Sequence, residues 1–264
     1  MLKQDYLKEL NIQSKVLKKG DKGEDVKRVQ EWLNIWKMNH SDFNIRVGID
    51  SDFGKITDNA VRAFQEYKKL VIDGIVGNNT WRALTSTMKQ AFTKQVKTNL
   101  SDYIVAYAKA HLYAGAKEIV PNKGPWVRAY MNGNDGADQL WCMGFVQTIL
   151  DQAYSSMGKK YTNFIPSTVG CDDVGNYGKE KNTLIKNKDI TDTLQQIKPG
   201  DILLIYKDEV VFWNHTGIVV EVYKDSIIAI EGNTDSNYSR NGVEVGEKER
   251  NILNTNIDIV KIIS

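Results

Sequence analysis

The stretch VVFWNHTGIVVEVYKDSIIAIEGNT, residues 210–234, decides the architecture of the C-terminal half. Two runs rich in Val, Ile and aromatic residues flank a short polar break at Tyr223 to Ser226, the signature of a β-hairpin. Side chains alternate along a strand. His215, Gly217, Val219 and Glu221 therefore share one face, as do Ile227, Ala229, Glu231 and Asn233 on the next strand. Residues that oppose one another in a hairpin have numbers that add to a constant. For His215 to share a face with Glu231 and Asn233 that constant must be even, which requires an odd-length loop. A three-residue loop, 223–225, pairs His215 with Asn233 and Gly217 with Glu231, and Gly217 leaves room for the Glu231 side chain. A two-residue loop sends Glu231 to the wrong face, so the register is open to test.

DILLIY (201–206) follows the Pro199-Gly200 turn as a further strand, and IDIVKII (257–263) is the last. The segments before residue 200 read as helical. Ser101 and Asp102 are expected to cap a helix running to about Lys117. WCMGFVQTILDQAY (141–154) repeats apolar residues at helical spacing: Phe145, Val146, Ile149, Leu150 and Ala153. Helices first and an antiparallel sheet after them make an α+β fold.

Cys142 sits where the polar run NGNDGADQ (132–139) enters that helix. A thiol at a helix N-terminus feels the positive end of the macrodipole, which favours thiolate. Free cysteine is also among the most buried residue types, so this stretch leaves both a nucleophile and a packed apolar residue open. His215 and Glu231 decide between them. Imidazole can take a thiol proton, a carboxylate can orient the ring, and the thiolate can attack an amide carbonyl, with the Cys142 amide as one oxyanion donor. Cys171, in STVGCDDVGNYG, reads as a loop residue with no helix start behind it and is a poor nucleophile candidate. His111 lies inside an apparent helix as a packed or half-exposed side chain, and His40 reads as a helix-end residue. With three histidines far apart and no H-E-x-x-H spacing, zinc chemistry is not expected.

Bulk composition narrows the classes. At 41% apolar and 26% charged, the 264-residue chain is neither disordered nor collagen-like. A net charge of +2 with scattered lysines gives no nucleic-acid footprint. No window reaches the roughly 18 apolar residues of a membrane-spanning helix. MLKQDYLKEL is no secretory signal, so the expectation is a protein made in the cytoplasm. Two cysteines are not a disulfide framework, although a Cys142–Cys171 bridge is a minor alternative.

The N-terminal part carries a repeat. DSDFGKIT (50–57) and DGIVGNNT (73–80) share D-x-x-[FV]-G-x-x-T at a spacing of 23 residues, each followed by a helical pattern. Gly permits a tight turn, and Thr57 and Thr80 are expected to cap the helix starts. With Val26, Val29, Leu33 and Trp36 on one face of the preceding helix, the segment reads as a small three-helix domain. Asp73, Gly74, Gly77 and Thr80 are explained by turn formation, and Trp32, Trp36 and Trp81 by core packing.

The G-x-x-G-x-x-V-x-x-x-Q opening, the F-G-x-x-T turn, A-V-x-x-F-Q and D-G-x-x-G-x-x-T-W together resemble the peptidoglycan-binding domain of cell-wall hydrolases. On this reading residues 1–16 are an extension, 17–87 the binding domain, 88–100 a linker and 101–264 a second domain. WCMGFV (141–146), KPGDILLIY (198–206), NHTGIVVEV (214–222) and EGNT (231–234) give that second domain a resemblance to CHAP proteins. These are cysteine, histidine-dependent amidohydrolases and peptidases of the NlpC-like, papain-related superfamily. The resemblance implies a papain-like fold of helices packed on an antiparallel sheet, with Cys142 as nucleophile, His215 as base, Glu231 as acid and Asn233 in support. Trp141, Gln139 and Trp213 are candidate substrate contacts. Many members have Gln directly before the Cys, where this chain has Trp141. No cofactor is expected; some relatives bind calcium in the loop before the nucleophile, and Asn132, Asn134, Asp135 and Asp138 are the oxygen donors available here.

The expectation is a monomeric peptidoglycan hydrolase with bacterial peptidoglycan as partner, no nucleic acid and no membrane insertion. It would cleave the N-acetylmuramoyl–L-alanine amide or a peptide bond of the stem or cross-bridge. A phage endolysin released through a holin-type hole is the first expectation for its role. An exported antibacterial effector, a host autolysin and a catalytically inactive wall-binding protein are the alternatives.

Overall fold

The computed structural model describes residues 5–11, 16–136, 140–207, 210–237, 241–253 and 255–262. Helix α1 (Asp5–Leu10) precedes α2 (Glu24–Asn39), on which Val26, Val29, Leu33 and Trp36 are all buried, as their spacing predicts. Helices α3 (Lys55–Tyr67) and α4 (Asn78–Leu84) complete the three-helix unit, and Trp32 and Trp81 join Trp36 in its core.

The repeat has a different anchor from the one expected. Gly54 and Gly77, not threonines, occupy the cap positions of α3 and α4. Thr57 and Thr80 lie inside the first turns and receive an amide N–H from Gln30 and Gln65, both at 3.1 Å. Each glutamine Nε2 also donates to the loop aspartate, Asp50 at 2.7 Å or Asp73 at 2.8 Å, while its Oε1 accepts loop backbone N–H groups. A buried primary amide needs partners for both of its polar atoms, and that need recruits the threonine hydroxyls away from capping.

Helix α5 (Ser86–Ala91) leads to α6 (Leu100–Tyr113). The cap of α6 is Asn99, whose side chain accepts the Asp102 N–H at 2.9 Å, so Ser101 is already helical and the helix ends before Lys117. Helices α7 (Pro125–Tyr130) and α8 (Cys142–Ser156) follow, then α9 (Cys171–Glu180) and α10 (Asn187–Thr193). The strands are β1 (Leu184–Ile185), β2 (Ile202–Lys207), β3 (Val210–Val222), β4 (Ser226–Thr234), β5 (Glu244–Asn251) and β6 (Ile257–Val260). They form one antiparallel sheet in the order β1-β6-β2-β3-β4-β5. Phe145 and Ile149 of α8 share a core with Ile202, Leu204, Ile218 and Ile230, while Leu203, Val219, Ala229, Ile257 and Ile259 form a second cluster with Ile185 and Ile190. The chain is α+β, with a helical N-terminal domain. No helix among the described residues is long and apolar enough to cross a membrane.

The hairpin reaches the expected register by an unexpected route. Gly217 pairs with Glu231, as the three-residue loop required. Yet Val222 pairs with Ile227 and the Tyr223 N–H donates to the Ser226 carbonyl at 2.8 Å, so the turn proper is the two residues Lys224 and Asp225. A register shift between Val219 and Glu221 supplies the odd residue: Val220 is a bulge. The expected His215–Asn233 pair does not form. The β3–β4 ladder ends at Gly217–Glu231, and Asn233, at φ +56°, has left the extended conformation.

A buried guanidinium lies between the N-terminal unit and the rest. Arg128 of α7 donates Nε and Nη2 to the two carboxylate oxygens of Glu9 on α1, both at 2.8 Å. It also donates Nη2 to Glu31 of α2 at 2.6 Å and Nη1 to Asp135 at 2.9 Å. Trp32 of α2 meets Trp126 of α7 edge to face nearby.

Candidate functional site

Cys142 is the first residue of α8, and no side chain caps that helix start. Burial of the whole helix fixes it there: Gly144 sits so close to α7 that a Cβ would lie 2.7 Å from the Tyr130 carbonyl oxygen. Trp141 is fully buried, its ring stacked on Tyr130 and its Nε1 donating to Glu118 Oε2 at 3.1 Å. A side chain so enclosed cannot touch a substrate, which corrects the expectation for Trp141; it is a packing group that anchors the start of α8. Gln139 and Asp138 lie outside the described residues.

The imidazole of His215 projects from β3 with Nε2 on Glu231 Oε2 at 2.9 Å. Nδ1 is buried and is the ring nitrogen left for the Cys142 thiol, which interacts with the ring. Gly217 makes this possible, because a Cβ there would come within 2.6 Å of Glu231 Cγ. Glu231 is itself clamped. Arg250 of β5 donates Nε to Oε1 at 2.8 Å and Nη2 to Oε2 at 2.6 Å, a two-point fork in a buried setting. Asn233 is buried two residues beyond, at the end of β4.

Arg250 and the strand that carries it escape sequence reading. The stretch EVGEKERN has charged residues on both faces and lacks the apolar alternation of a strand. A signal is nonetheless present: Glu247, Glu249 and Asn251 alternate with Lys248 and Arg250, one charge sign per face. Only the acidic side is exposed.

Cys171 also differs from expectation. It begins α9, with Asp172 and Asp173 in the first turn, and its thiol is close enough to Cys142 to act on it electrostatically. Both thiols are free and buried. The interaction splits the pair. The Cys142 thiol is held well below the usual cysteine value by the hydrogen bond from Cys171, then by His215 and the Met143 N–H, which together outweigh burial. Cys171 is pushed well above it by the same interaction and by burial. Burial alone would lower His215, but Cys142 and Glu231 outweigh it and raise the imidazole to about 9. For Glu231, burial pushes the carboxyl up, and His215 and Arg250 overcome this to hold it below the ordinary value. The favoured state is therefore thiolate, imidazolium, carboxylate and guanidinium in sequence.

The remaining candidates have other partners. Trp213 is 5% exposed; its Nε1 donates to Asp258 at 3.0 Å and its backbone N–H to Asp172 at 2.8 Å. Asp135 accepts from Arg128 and from the Gly124 N–H, and Asn132 occupies a left-handed turn position at φ +56°. Among the described residues no group of three or more His, Cys, Asp or Glu side chains is disposed to hold a metal ion. His111 is packed, bonding Tyr130 through Nδ1 and Gln152 through Nε2, both at 2.8 Å. His40 ends α2, its ring stacked on Trp36.

Comparison with known proteins bears on the N-terminal unit. A family described as "Putative peptidoglycan binding domain" matches residues 22–84. This part of the chain is similar to domains of the peptidoglycan-binding type. Among solved structures, "The crystal structure of SleB N-terminal domain" is similar at 33% identity with a TM-score of 0.25, covering 29% of this chain and 96% of that one. The domain points to the cell wall, and to peptidoglycan as the polymer the chain associates with.

Proposed function

We propose that the protein is a cell-wall hydrolase in which the N-terminal domain holds the chain on peptidoglycan and the C-terminal domain, CHAP-like, cleaves an amide through Cys142. Tethering raises the local concentration of scissile bonds without adding contacts at any one of them. The observation that carries the reading is His215 standing between Cys142 and Glu231 at a helix N-terminus. The thiolate attacks the amide carbonyl, and the oxyanion meets the Cys142 N–H at the start of α8. Imidazolium Nδ1 gives its proton to the departing amine, leaving a thioester. Neutral His215 then takes a proton from water, which attacks the thioester and releases the acid and the thiolate. Glu231 keeps the ring aimed throughout.

The bond cleaved is the N-acetylmuramoyl–L-alanine amide or a peptide bond of the stem or cross-bridge, and lysis of the kind carried out by endolysins is the role proposed with it. A binding-only protein is the second reading, favoured by the burial of Cys142 to 4% exposure. Digestion of purified sacculi by wild type and Cys142→Ala, with mass spectrometry of the released fragments, separates the two. Soluble fragments from wild type alone support the hydrolase, and their ends name the bond. Equal release by both proteins rules out Cys142 as the nucleophile, and no release beside retained binding leaves the binding protein.

A further inference from the structure

A cleft of about 410 Å³ opens beside the C-terminal end of α9, and neither Cys142 nor His215 lines it. Trp213 forms its floor, packed over Gly175 so closely that a Cβ there would strike the indole. Tyr206 and Phe212 close the side formed by β2 and β3, and Lys179, Lys186 and Lys188 ring the mouth. The ammonium groups of Lys179 and Lys186 lie 4.5 and 5.0 Å from the Trp213 ring centroid. Asp258 is the carboxylate of the lining, and its charge is already used. It accepts from Trp213 Nε1 at 3.0 Å, the Asn187 N–H at 2.8 Å and Lys186 Nζ at 3.2 Å. Lys179 and Lys188, both exposed, thus leave the cleft with surplus positive charge over an aromatic floor.

The cleft is tied to the dyad through α9. Cys171 at the helix start is an electrostatic neighbour of Cys142, and the adjoining Asp172 accepts the Trp213 N–H. Gly175 and Lys179 follow one and two turns along, so Lys179 lies about 12 Å from Cys171. That separation is about four residues of extended chain.

We propose that this cleft binds a carboxylate-bearing peptide, its acid groups on Lys179 and Lys188 and its aliphatic parts on Trp213 and Phe212. It rests on the hydrolase reading for the source of that peptide, which is then the stem of the wall polymer whose amide reaches Cys142. The test is calorimetric titration of full-length Cys142→Ala with a soluble stem-type peptide bearing two free carboxylates. The same peptide with both acids capped as amides, and a wall-derived phosphate polymer, serve as comparisons. The free-acid peptide is expected to bind, the capped one to bind about ten-fold more weakly, and Lys179→Gln/Lys188→Gln to lose about ten-fold for the free acid alone. Both lysines are exposed, so an unchanged melting curve for that variant shows intact folding. Equal affinity for acid and amide, or indifference to the two lysines, overturns the proposal. Lysine-dependent binding of the phosphate polymer but not of the peptide overturns it too. Lysine-dependent peptide binding by a wild type that leaves every amide of the sacculus intact keeps the cleft and removes the hydrolase.

Discussion

Glu231 is an anion with no exposed surface, and His215 and Arg250 together keep it one. A carboxylate in that setting would ordinarily protonate, and a protonated Glu231 would no longer hold His215 as a cation. Arg250→Met is therefore expected to cost about 3–5 kcal/mol of stability, because it strands a buried charge. The double variant Arg250→Met/Glu231→Gln should recover most of that loss without recovering activity, a signature that a purely structural arginine would not give. The charge chain also sets a pH window. His215 has a folded value raised from 6.5 to about 9. Its contribution to stability is fully present below 6.5 and is lost as pH rises through about 9. On the proposed hydrolysis the imidazolium must protonate the leaving amine, so any wild-type rate should fall above about pH 9 while alkylation of the Cys142 thiolate continues. In Arg250→Met the alkaline limb should move down. Profiles that superimpose would remove Arg250 from the proton chemistry.

At the scale of elements, legibility followed period and failed where tertiary contact set the outcome. The Gly217–Glu231 register was reached from the requirement that an acid share a face with His215, although through a three-residue loop that the structure replaces with a two-residue turn and a bulge. The bulge at Val220 was not readable, since an extra residue in a run of valines leaves no compositional mark. Helix α9 was hidden by Gly175 and Gly178, which read as loop residues. Both glycines are packing requirements: Gly175 accepts the Trp213 ring, and a Cβ at Gly178 would meet Val260 at 3.0 Å. This reverses a common substitution effect. Gly→Ala inside a helix normally gains about 1 kcal/mol. Gly175→Ala should instead destabilise by about 1–3 kcal/mol, because the indole must move off Asp258. Urea denaturation measures the sign. A stabilised Gly175→Ala would show that the Trp213 floor is loose.

The whole molecule depends on how its two halves are joined, and here the sequence was least informative: neither Glu9 nor Arg128 carries any pattern. In the structure Arg128 satisfies two carboxylates of the N-terminal unit at once, Glu9 and Glu31, and both are almost fully buried. Burial pushes Glu31 up, so the guanidinium is what makes an ionised pair tolerable in that interface. Trp32 against Trp126 and the Asn39 amide on the Gly115 carbonyl extend the same contact, and one apolar core runs through both halves. Such a joint should make the chain unfold as a unit, with calorimetric and van't Hoff enthalpies in agreement. Arg128→Ala leaves two acids facing each other without their cation and should cost about 3–5 kcal/mol at the interface. The local cost should separate the halves, giving two thermal transitions, the first of which shifts upward when Glu9→Gln and Glu31→Gln are added. A single transition lowered as a whole would mean that the shared core couples the halves without Arg128. Two transitions already in wild type would mean that the N-terminal and C-terminal units melt independently.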